Sequence, residues 1–362
     1  MNNIVGKFIK NFRKINDITQ EEFGSKLNLG RDAIIRIEKG ERKITIDELK
    51  MMCDAYNIDI NDVINFKVSF LTDMKGIILA GGSGTRLYPI TEGTSKQLVP
   101  VYDKPMIYYP LSILMQAGIR DILIITTEED QVNFKRLLKD GSQFGINISY
   151  TIQPSPDGLA QAFILGKEFI GDNPCAMVLG DNIFYGNGLE KELLNARENA
   201  DLGYATIFGY QVKDPERFGI MELDRNNNII SVEEKPLNPK SDYAITGLYF
   251  YPKGVPEKAL KIVPSERGEL EITSLNDMYL KEKRLKAGLL SSGYTWFDTG
   301  TFNSLLDASN MIRTIENNQE KLICSPEYIA YLNGWINEEQ FLDRANLLKK
   351  NSYGKTLLKL KK

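Results

Sequence analysis

Short apolar repeats at helical spacing characterise the first part of the chain. They recur every three or four residues, first at Val5, Phe8, Ile9 and Phe12, and later at Leu49, Met52, Cys53 and Tyr56. Thr19-Gln20-Glu21-Glu22 and Thr45-Ile46-Asp47-Glu48 have the pattern of a capping box at a helix start. A further short helix is predicted over 31–38, with Gly40 as its stop. The pattern predicts a small all-α region.

From residue 75 onward, apolar runs of strand length alternate with runs of helical period. Strands are predicted over 77–80, 122–126, 146–153, 176–179 and 204–210, and helices over 107–117 and 130–138. Such alternation is typical of an α/β protein with a mainly parallel sheet covered by helices. We therefore expect a helical domain over 1–66, a linker over 67–74 and an α/β domain over 75–362.

The helical region contains the segment QEEFGSKLNLGRDAIIRIEKGERKITIDELKMMCDAYNI. It resembles the helix-turn-helix family of phage repressors of the Cro type, notably at Gln20, Leu27, Ile37, Glu38 and Gly40. The resemblance implies a recognition helix over 31–38 and DNA contacts through Gln20, Arg31, Asp32 and Arg36. Lys39, Arg42 and Lys43 would approach phosphates. Because acidic residues nearly balance basic ones here, a protein-interaction or dimerisation module remains the alternative.

Composition narrows the chemistry. The 362 residues include no histidine, which excludes Ser-His-Asp and Cys-His hydrolases and histidine zinc sites. Carboxylates, Lys, Arg, backbone amides and a hard metal ion are left to carry a reaction. The net charge of −3 gives no general attraction to nucleic acid or membranes. Three widely spaced cysteines and no long apolar run lead us to expect a cytoplasmic protein without a membrane segment.

A glycine-rich turn follows the first predicted strand of the α/β region. Gly81-Gly82-Ser83-Gly84 lies where backbone amides of an open α/β sheet approach a phosphate, although it is neither a Walker loop nor a complete dinucleotide fingerprint. Arg86 and Lys96 follow closely and would neutralise a polyphosphate. A tight structural connection is the alternative for the glycines alone.

Two aspartates stand in apolar surroundings. Asp181 lies in Val178-Leu179-Gly180-Asp181-Asn182, and Asp298 in Trp296-Phe297-Asp298-Thr299-Gly300. Mg²⁺ prefers one or two carboxylates together with substrate phosphates, whereas a turn or helix cap would also use a lone aspartate. Phosphoryl-type transfer depends on positioning and charge neutralisation, so it suits a site without histidine.

Several longer motifs follow the same region: GGSGTRLYPIT, SKQLVPVYDKPMIYYPLSILMQAGIRDILIIT, QPSPDGLAQAF, GDNIFYG, EEKP, TGLYFY, RGELEIT and WFDTGT. From about Met74 nearly to the end, the chain resembles the sugar-phosphate nucleotidylyltransferase family, in particular its glucose-1-phosphate thymidylyltransferases. The resemblance implies a Rossmann-like nucleotidyltransferase fold. It also implies the reaction of dTTP with glucose 1-phosphate to give dTDP-glucose and diphosphate, with Mg²⁺ as cofactor.

The resemblance also implies individual roles. The catalytic residues would be Arg86, Lys96, Asp181, Lys235 and Asp298, with Asp181 and Asp298 holding the metal. Nucleotide contacts would come from Leu79, Gly81, Gly82, Ser83, Gly84, Thr85, Arg86, Gln97, Gln153, Gly158 and Asp181. Within this set, Gln97 would touch the deoxyribose, and Gln153 and Gly158 would read the thymine edge. The sugar phosphate would be bound by Gly219, Glu234, Lys235, Ile245, Tyr249, Arg267 and Trp296.

Two departures from the family pattern affect these expectations. Phe218 stands where relatives usually have tyrosine, and Asn187 where a histidine is common near a secondary nucleotide site. The family further implies a homotetramer and a place in dTDP-deoxysugar and polysaccharide synthesis. The alternatives are a related enzyme that uses UTP, and a transcription regulator whose enzyme-like part senses a nucleotide sugar.

Overall fold

The computed structural model describes residues 4–16, 18–60, 63, 73–82 and 84–360. The chain divides into two compact units, Met1–Asp73 and Met74–Lys362. The predicted linker over 67–74 lies almost entirely outside the described residues, and so does Ser83 of the glycine turn.

The first unit is all helical where it is described. Its helices are α1 (Ile4–Ile15), α2 (Gln20–Ser25), α3 (Arg31–Lys39) and α4 (Ile46–Tyr56). Both predicted capping boxes are confirmed, because the hydroxyls of Thr19 and Thr45 accept the backbone N–H three residues on, while Glu22 and Glu48 reach back to the cap. Gly40 ends α3 in the left-handed conformation, with φ of 79°.

Apolar side chains from these helices meet in one small core. Its buried members are Phe8, Ile9, Phe23, Leu27, Ile34, Ile37, Met52 and Val63. The ring of Tyr56 stacks on Phe23 with centroids 4.8 Å apart. Since Ile34 and Ile37 face this core, the polar side of α3 is left at the surface.

The second unit is an α/β structure. Its strands are β1 (Lys75–Ala80), β2 (Pro100–Val101), β3 (Lys104–Pro105), β4 (Asp121–Thr126), β5 (Asn147–Ile152), β6 (Cys175–Leu179), β7 (Asn182–Gly186), β8 (Ala205–Gln211), β9 (Gly219–Leu223), β10 (Ile229–Glu234), β11 (Tyr243–Tyr251), β12 (Leu285–Leu290) and β13 (Tyr294–Asp298). Its helices are α5 (Tyr108–Gln116), α6 (Gln131–Leu138), α7 (Gln161–Leu165), α8 (Lys167–Ile170), α9 (Leu189–Asp201), α10 (Val255–Ala259), α11 (Ile272–Lys281), α12 (Phe302–Gln319), α13 (Pro326–Leu332), α14 (Glu338–Leu347) and α15 (Ser352–Lys359).

The large sheet has the strand order β10-β9-β11-β6-β1-β4-β5, and β8 pairs with β11 and β12. β1 pairs in parallel with both β4 and β6, and β4 pairs in parallel with β5. β11 is antiparallel to β6, which turns the sheet from parallel to antiparallel beside β6. The expected mainly parallel sheet is therefore confirmed, with an antiparallel section that the apolar runs did not reveal.

Both faces of β1, β4 and β6 are buried. Ile78 and Ile124 join one core with α5, α6 and α9, whereas Ile77, Leu79 and Leu123 join the opposite core with α7 and α11. Apolar residues at nearly every position of these strands are what a doubly covered parallel sheet requires. As a result, β1, β4, β5 and β6 all end at one edge, and the loops that follow them meet there.

The last three helices pack on the first of these cores. Their polar anchor is Glu327, which is fully buried and accepts hydrogen bonds from Arg344 at 3.1 Å and from the Tyr353 hydroxyl at 2.6 Å. From Phe302 onward, the regular elements of the described chain are all helices. None of the helices in the described part of the chain could span a lipid bilayer.

Candidate active site

The glycine-rich turn leaves β1 at the carboxyl edge of the sheet. Gly84 has φ of 63°, a conformation that side chains rarely adopt, and its carbonyl accepts a hydrogen bond from the Thr91 hydroxyl at 2.8 Å. A Cβ at Gly81 would lie 2.3 Å from Oε1 of Gln153, at the end of β5. A side chain at position 81 would therefore require Gln153 to move.

Lys96 and Asp181 form an ion pair at the centre of the edge. Lys96 is buried, with 6% of its surface exposed, and its ammonium contacts Oδ2 of Asp181. Burial by itself raises the pKa of the Asp181 carboxyl, but the Lys96 charge, aided by hydrogen bonds from Lys96 and Asn182, lowers it overall. The carboxylate is thus held ionised beside a lysine from the glycine-rich loop region.

Asp298 lies next to this pair. In the antiparallel pairing of β13 with β7 it is opposite Asn182, the residue after Asp181. The hydroxyl of Thr299 donates to the Asp181 carbonyl at 2.7 Å, which ties the two segments together. Burial and the neighbouring Asp181 charge raise the pKa of Asp298, although Lys96, Arg86 and Arg217 oppose the rise. The two carboxylates are close enough to repel one another.

Asn182 joins three strands beneath the aspartates. Its side chain is buried, and its Oδ1 accepts from the Trp296 indole at 2.6 Å and from the Gly247 backbone at 3.0 Å. Its Nδ2 donates to Oδ1 of Asp181 at 3.0 Å. Two donors on the carbonyl fix the orientation of the amide, so its NH₂ group has to face Asp181.

Two adjoining clefts open at this edge. The smaller, of about 240 Å³, is lined by the residues of the glycine turn and of the loop that follows: Gly82, Gly84, Thr85, Arg86, Leu87, Lys96, Gln97, Asp181 and Gly300. The larger, of about 480 Å³, has among its walls Arg86, Asp181, Arg217, Phe218, Gly219, Glu234, Lys235, Ile245, Tyr249, Trp296 and Asp298. Arg86 and Asp181 line both clefts. These two residues therefore stand where groups bound in the two clefts would meet.

Glu234 occupies the far side of the larger cleft. Its carboxylate accepts a hydrogen bond of 2.5 Å from the Thr273 hydroxyl. Guanidinium nitrogens of Arg267 lie 3.8 Å, 2.9 Å and 3.6 Å from carboxylate oxygens of Glu234, Glu269 and Glu271, respectively. Lys235 follows in the left-handed conformation, with φ of 39°, and its backbone N–H donates to the Phe218 carbonyl at 3.1 Å. The EEKP segment thus ends β10 in a turn whose backbone is strained at Lys235.

Gln153 and Gly158 belong to the loop that follows β5. Gln153 is buried beside Gly81, and Gly158 has φ of 108°. A Cβ at Gly158 would lie 2.5 Å from backbone atoms of Leu270, whose N–H donates to the Asp157 carbonyl at 2.6 Å. The loop after β5 is therefore pinned to the loop that carries Arg267.

The metal prediction can be compared with the available donors. In the part of the chain that the structure describes, no three His, Cys, Asp or Glu side chains cluster as a self-sufficient metal site. The Asp181 and Asp298 carboxylates nonetheless line the larger cleft, together with the cationic side chains of Arg86, Arg217 and Lys235. Two hard oxygen donors in a cleft with cationic walls match the way Mg²⁺ is bound, through one or two carboxylates plus substrate phosphates.

The first unit presents a separate surface. Arg31, Asp32 and Arg36 of α3 are exposed, as the resemblance to repressors implies. Gln20 is positioned differently, because its Nε2 donates to Glu38 at 2.9 Å. Glu38 also pairs with the buried Arg13 at 2.7 Å. The Gln20 side chain thus helps to join α1, α2 and α3 in addition to any surface role.

Comparison with known proteins identifies the larger unit. A nucleotidyl transferase family model matches residues 75–315. A glucose-1-phosphate thymidylyltransferase of Neisseria meningitidis serogroup A is 58% identical over 289 residues, covering 80% of this chain and 100% of the relative. The chain belongs to the glucose-1-phosphate thymidylyltransferase family. The Mycobacterium tuberculosis thymidylyltransferase of this family is 53% identical, covering 79% of this chain and 99% of its own length.

Solved structures agree with this family assignment. A crystal structure described as that of a glucose-1-phosphate thymidylyltransferase from Bacillus anthracis matches with a TM-score of 0.60 and 42% identity, covering 66% of this chain and 95% of that one. A UDP-glucose pyrophosphorylase matches with a TM-score of 0.59 but only 24% identity, and shares the fold. Outside the thymidylyltransferase part, a helix-turn-helix family model matches residues 9–63.

Several residues of this thymidylyltransferase site were not predicted from the sequence. They are Asn182, Arg217, Thr273 and Thr299, which contact or face the predicted residues, and Gln161, which contacts Gln153. Asn182 and Thr299 do stand inside the quoted GDN and DTG motifs, directly beside the aspartates. Their adjacency was the available signal, but their partners come from distant strands.

Proposed function

We propose that this chain catalyses the reaction of dTTP with glucose 1-phosphate to give dTDP-glucose and diphosphate. The observation that carries the proposal is the pair of adjoining clefts with Arg86 and Asp181 as common walls. A reaction between two phosphates needs both to be held at one point. The relative from Neisseria meningitidis, matched over its full length at 58% identity, supports the choice of substrates.

The smaller cleft suits the nucleotide. Backbone amides of Gly81, Gly82 and Gly84 would approach the triphosphate, together with Ser83 and Thr85, beside Leu79 at the end of β1. Gln97, buried in the same wall, would touch the deoxyribose. Gln153 and Gly158 would read the base, because Gln153 lies beside Gly81 of the turn and Gly158 belongs to the same loop after β5.

The larger cleft suits the sugar phosphate. Glu234 and Tyr249 provide polar groups for sugar hydroxyls, while Gly219, Ile245 and Trp296 give it shape. Lys235 and Arg267 would bind the phosphate. Arg267 lies against the carboxylates of Glu234, Glu269 and Glu271, and these residues position its guanidinium beside the cleft that they line.

Transfer would proceed in line. A phosphate oxygen of glucose 1-phosphate attacks the α-phosphorus of dTTP, a new P–O bond forms, and the bond from the α-phosphorus to the diphosphate oxygen breaks. Arg86 stabilises the departing diphosphate, while Lys96 and Lys235 offset the negative charge on the two reacting phosphates. No strong general base is required, since the attacking oxygen already carries charge.

Asp181 and Asp298 would hold Mg²⁺ in this scheme. When bound, the ion supplies charge neutralisation for the phosphates and helps to align them. Asn182 and Thr299 keep the two aspartates in register through contacts to the side chain and carbonyl of Asp181. The remaining work of orientation is done by side chains of the two clefts.

The decisive experiment measures diphosphate release from glucose 1-phosphate and Mg²⁺ with dTTP, UTP, CTP, ATP and GTP. We expect a strong preference for dTTP, and loss of turnover with EDTA. Preference for UTP would assign the chain to the related uridylyl enzymes. Absence of turnover with every nucleotide would favour a regulator that senses a nucleotide sugar.

We propose DNA binding as a second function, carried by the first unit. Its basis is the match to the helix-turn-helix family and the exposed Arg31, Asp32 and Arg36 on α3. Selection of bound genomic fragments by the full chain, followed by gel shifts at rising salt, tests it. Arg31→Ala and Arg36→Ala should weaken the selected site. Equal binding to unrelated sequences, or none, would favour an interaction or dimerisation module.

The wider setting is also a proposal. The helix-turn-helix domain would span 1–66, the linker 67–74 and the catalytic domain 75–362. The catalytic domain would assemble as a homotetramer in the cytoplasm, and its product would feed dTDP-deoxysugar and polysaccharide synthesis. Light scattering of the intact chain and of residues 74–362 would test whether assembly depends on the catalytic domain.

A further inference from the structure

Two glutamines and an aspartate form a directional chain of hydrogen bonds after β5. Gln153 donates from Nε2 to Oε1 of Gln161 at 2.7 Å, and Gln161 donates from its own Nε2 to Oδ2 of Asp157 at 2.7 Å. The Ser155 hydroxyl donates to the same Asp157 oxygen at 2.6 Å. We name Gln153, Gln161 and Asp157 the amide relay.

The carboxylate determines the direction of the relay. A carboxylate accepts hydrogen bonds and has none to donate. Gln161 therefore turns its NH₂ group toward Asp157 and its carbonyl toward Gln153. That carbonyl can only accept, so Gln153 must offer its own NH₂ group. The Asp157 charge thus fixes the orientation of two successive amides, which would otherwise be nearly symmetric in shape.

Gln153, at one end of the relay, lies beside the glycine-rich turn. Gln153 is only 8% exposed, and its Oε1 lies so near Gly81 that a Cβ there would be 2.3 Å away. Gln161 uses one of the two hydrogens on Gln153 Nε2. No other hydrogen bond engages this amide within the part of the chain that the structure describes, so one carbonyl acceptor and one N–H donor remain for a ligand.

The relay is also anchored from outside. The Leu270 N–H donates to the Asp157 carbonyl at 2.6 Å, and the Ala160 N–H donates to the Leu270 carbonyl at 3.1 Å. These backbone bonds hold the loop between Asp157 and Ala160 in place. Asp157 is therefore fixed at the point from which it orients Gln161.

We propose that the amide relay selects the pyrimidine base, with Gln161 and Asp157 as positioning residues that determine specificity. The inference rests on the proposed function, in which Gln153 reads the base. An acceptor followed by a donor complements the N3–H and O4 of thymine or uracil. Cytosine presents the reverse order, an unprotonated N3 and an amino group, so it meets acceptor against acceptor and donor against donor.

The test compares kcat/KM for dTTP, dUTP and dCTP in the full chain. Gln161→Met keeps the size of the side chain and removes both hydrogen bonds, which frees Gln153 to rotate. We expect the preference for dTTP over dCTP to fall about tenfold or more, since buried polar mismatches dominate such discrimination. The dTTP to dUTP ratio should stay within about twofold, because both bases share the same edge.

Four further variants make the outcomes distinct. Gln153→Met should also lower the dTTP to dCTP ratio, and the double variant should be no worse than Gln153→Met, because the relay acts only through Gln153. Asp157→Asn retains an oxygen acceptor and should keep more discrimination than Gln161→Met. Gln131→Met, on α6 with its amide bound to Lys135, is the matched control. Thermal melting of each variant shows whether it is folded.

Each pattern decides a different point. A changed ratio for Gln153→Met with an unchanged ratio for Gln161→Met would overturn the relay and leave the role of Gln153 intact. Unchanged ratios for both variants would overturn the assignment of Gln153 to the base. If the unmodified chain shows no turnover with dTTP, the proposed enzyme activity itself is overturned.

Discussion

The Thr299 hydroxyl donates a 2.7 Å hydrogen bond to the backbone carbonyl of Asp181, although the two residues belong to segments far apart in the chain. The Thr299 backbone N–H reaches the same carbonyl at 3.2 Å. Asp298 immediately precedes Thr299, so this contact fixes the spacing between the two proposed metal carboxylates. The geometry of the proposed reaction centre therefore depends on a buried, neutral hydroxyl.

Thr299→Val should therefore lower kcat about fivefold, while Thr299→Ser retains most of it, since one oriented hydrogen bond is worth about 1 kcal/mol. Steady-state diphosphate release at saturating dTTP measures the difference. Equal rates for the valine and serine variants would show that the backbone bond alone maintains the spacing.

Asp181→Asn and Asp298→Asn should each lower kcat roughly a hundredfold or more, because each removes a negative charge that would hold Mg²⁺ beside the reacting phosphates. Both variants should fold, as judged by circular dichroism and melting. Asp307→Asn, on α12 and exposed, is the matched control for loss of an acidic group. Normal Mg²⁺-dependent turnover in either active-site variant would reject the two-carboxylate site.

Asn182→Ala should affect both stability and turnover. The change leaves the Trp296 indole and the Gly247 N–H without their buried acceptor, at a cost of about 2–4 kcal/mol. It also frees the Asp181 carboxylate to rotate. Denaturant unfolding of the larger unit checks the first effect and diphosphate release the second. Unaltered stability would mean that water replaces the lost amide.

Gly158→Ala should raise the KM for dTTP about tenfold with a smaller change in kcat, because the new Cβ would push against the backbone of Leu270 and displace the base-reading loop. Gly171→Ala, whose added Cβ would lie 3.8 Å from the Asn173 amide nitrogen, is a control for a positive-φ glycine away from the site. A KM shift of the same size in both variants would point to general strain instead of loop displacement.

Glu38→Ala should destabilise the first unit by about 3–5 kcal/mol, because it leaves the buried Arg13 guanidinium without its carboxylate. Nucleotidyl transfer should continue unchanged. Calorimetry of the full chain, with the exposed Glu21→Ala as control, would resolve the transition of the helical unit. Parallel loss of enzyme activity would show that the two units do not function independently.

Apolar runs predicted the parallel strands well, because β1, β4 and β6 are covered on both faces and have apolar residues at nearly every position. Capping boxes at Thr19 and Thr45 were equally local and were confirmed. Asn182 was beyond such reasoning, because its role arises only where β7 meets β11 and β13. The hydrogen bond from Gln20 to Glu38 likewise depends on how α2 and α3 pack.

The two clefts also limit how this protein could be redesigned. Arg86 and Asp181 belong to both, so altering either one changes the environment of both substrates at once. Phe218 and Ile245 line the larger cleft alone, and Gln97 the smaller. If the sugar phosphate occupies the larger cleft and the nucleotide the smaller, as we propose, new sugar preferences would be evolved through Phe218 and Ile245, and new contacts to the nucleotide through Gln97. The shared arginine and aspartate would be kept as a common reaction centre.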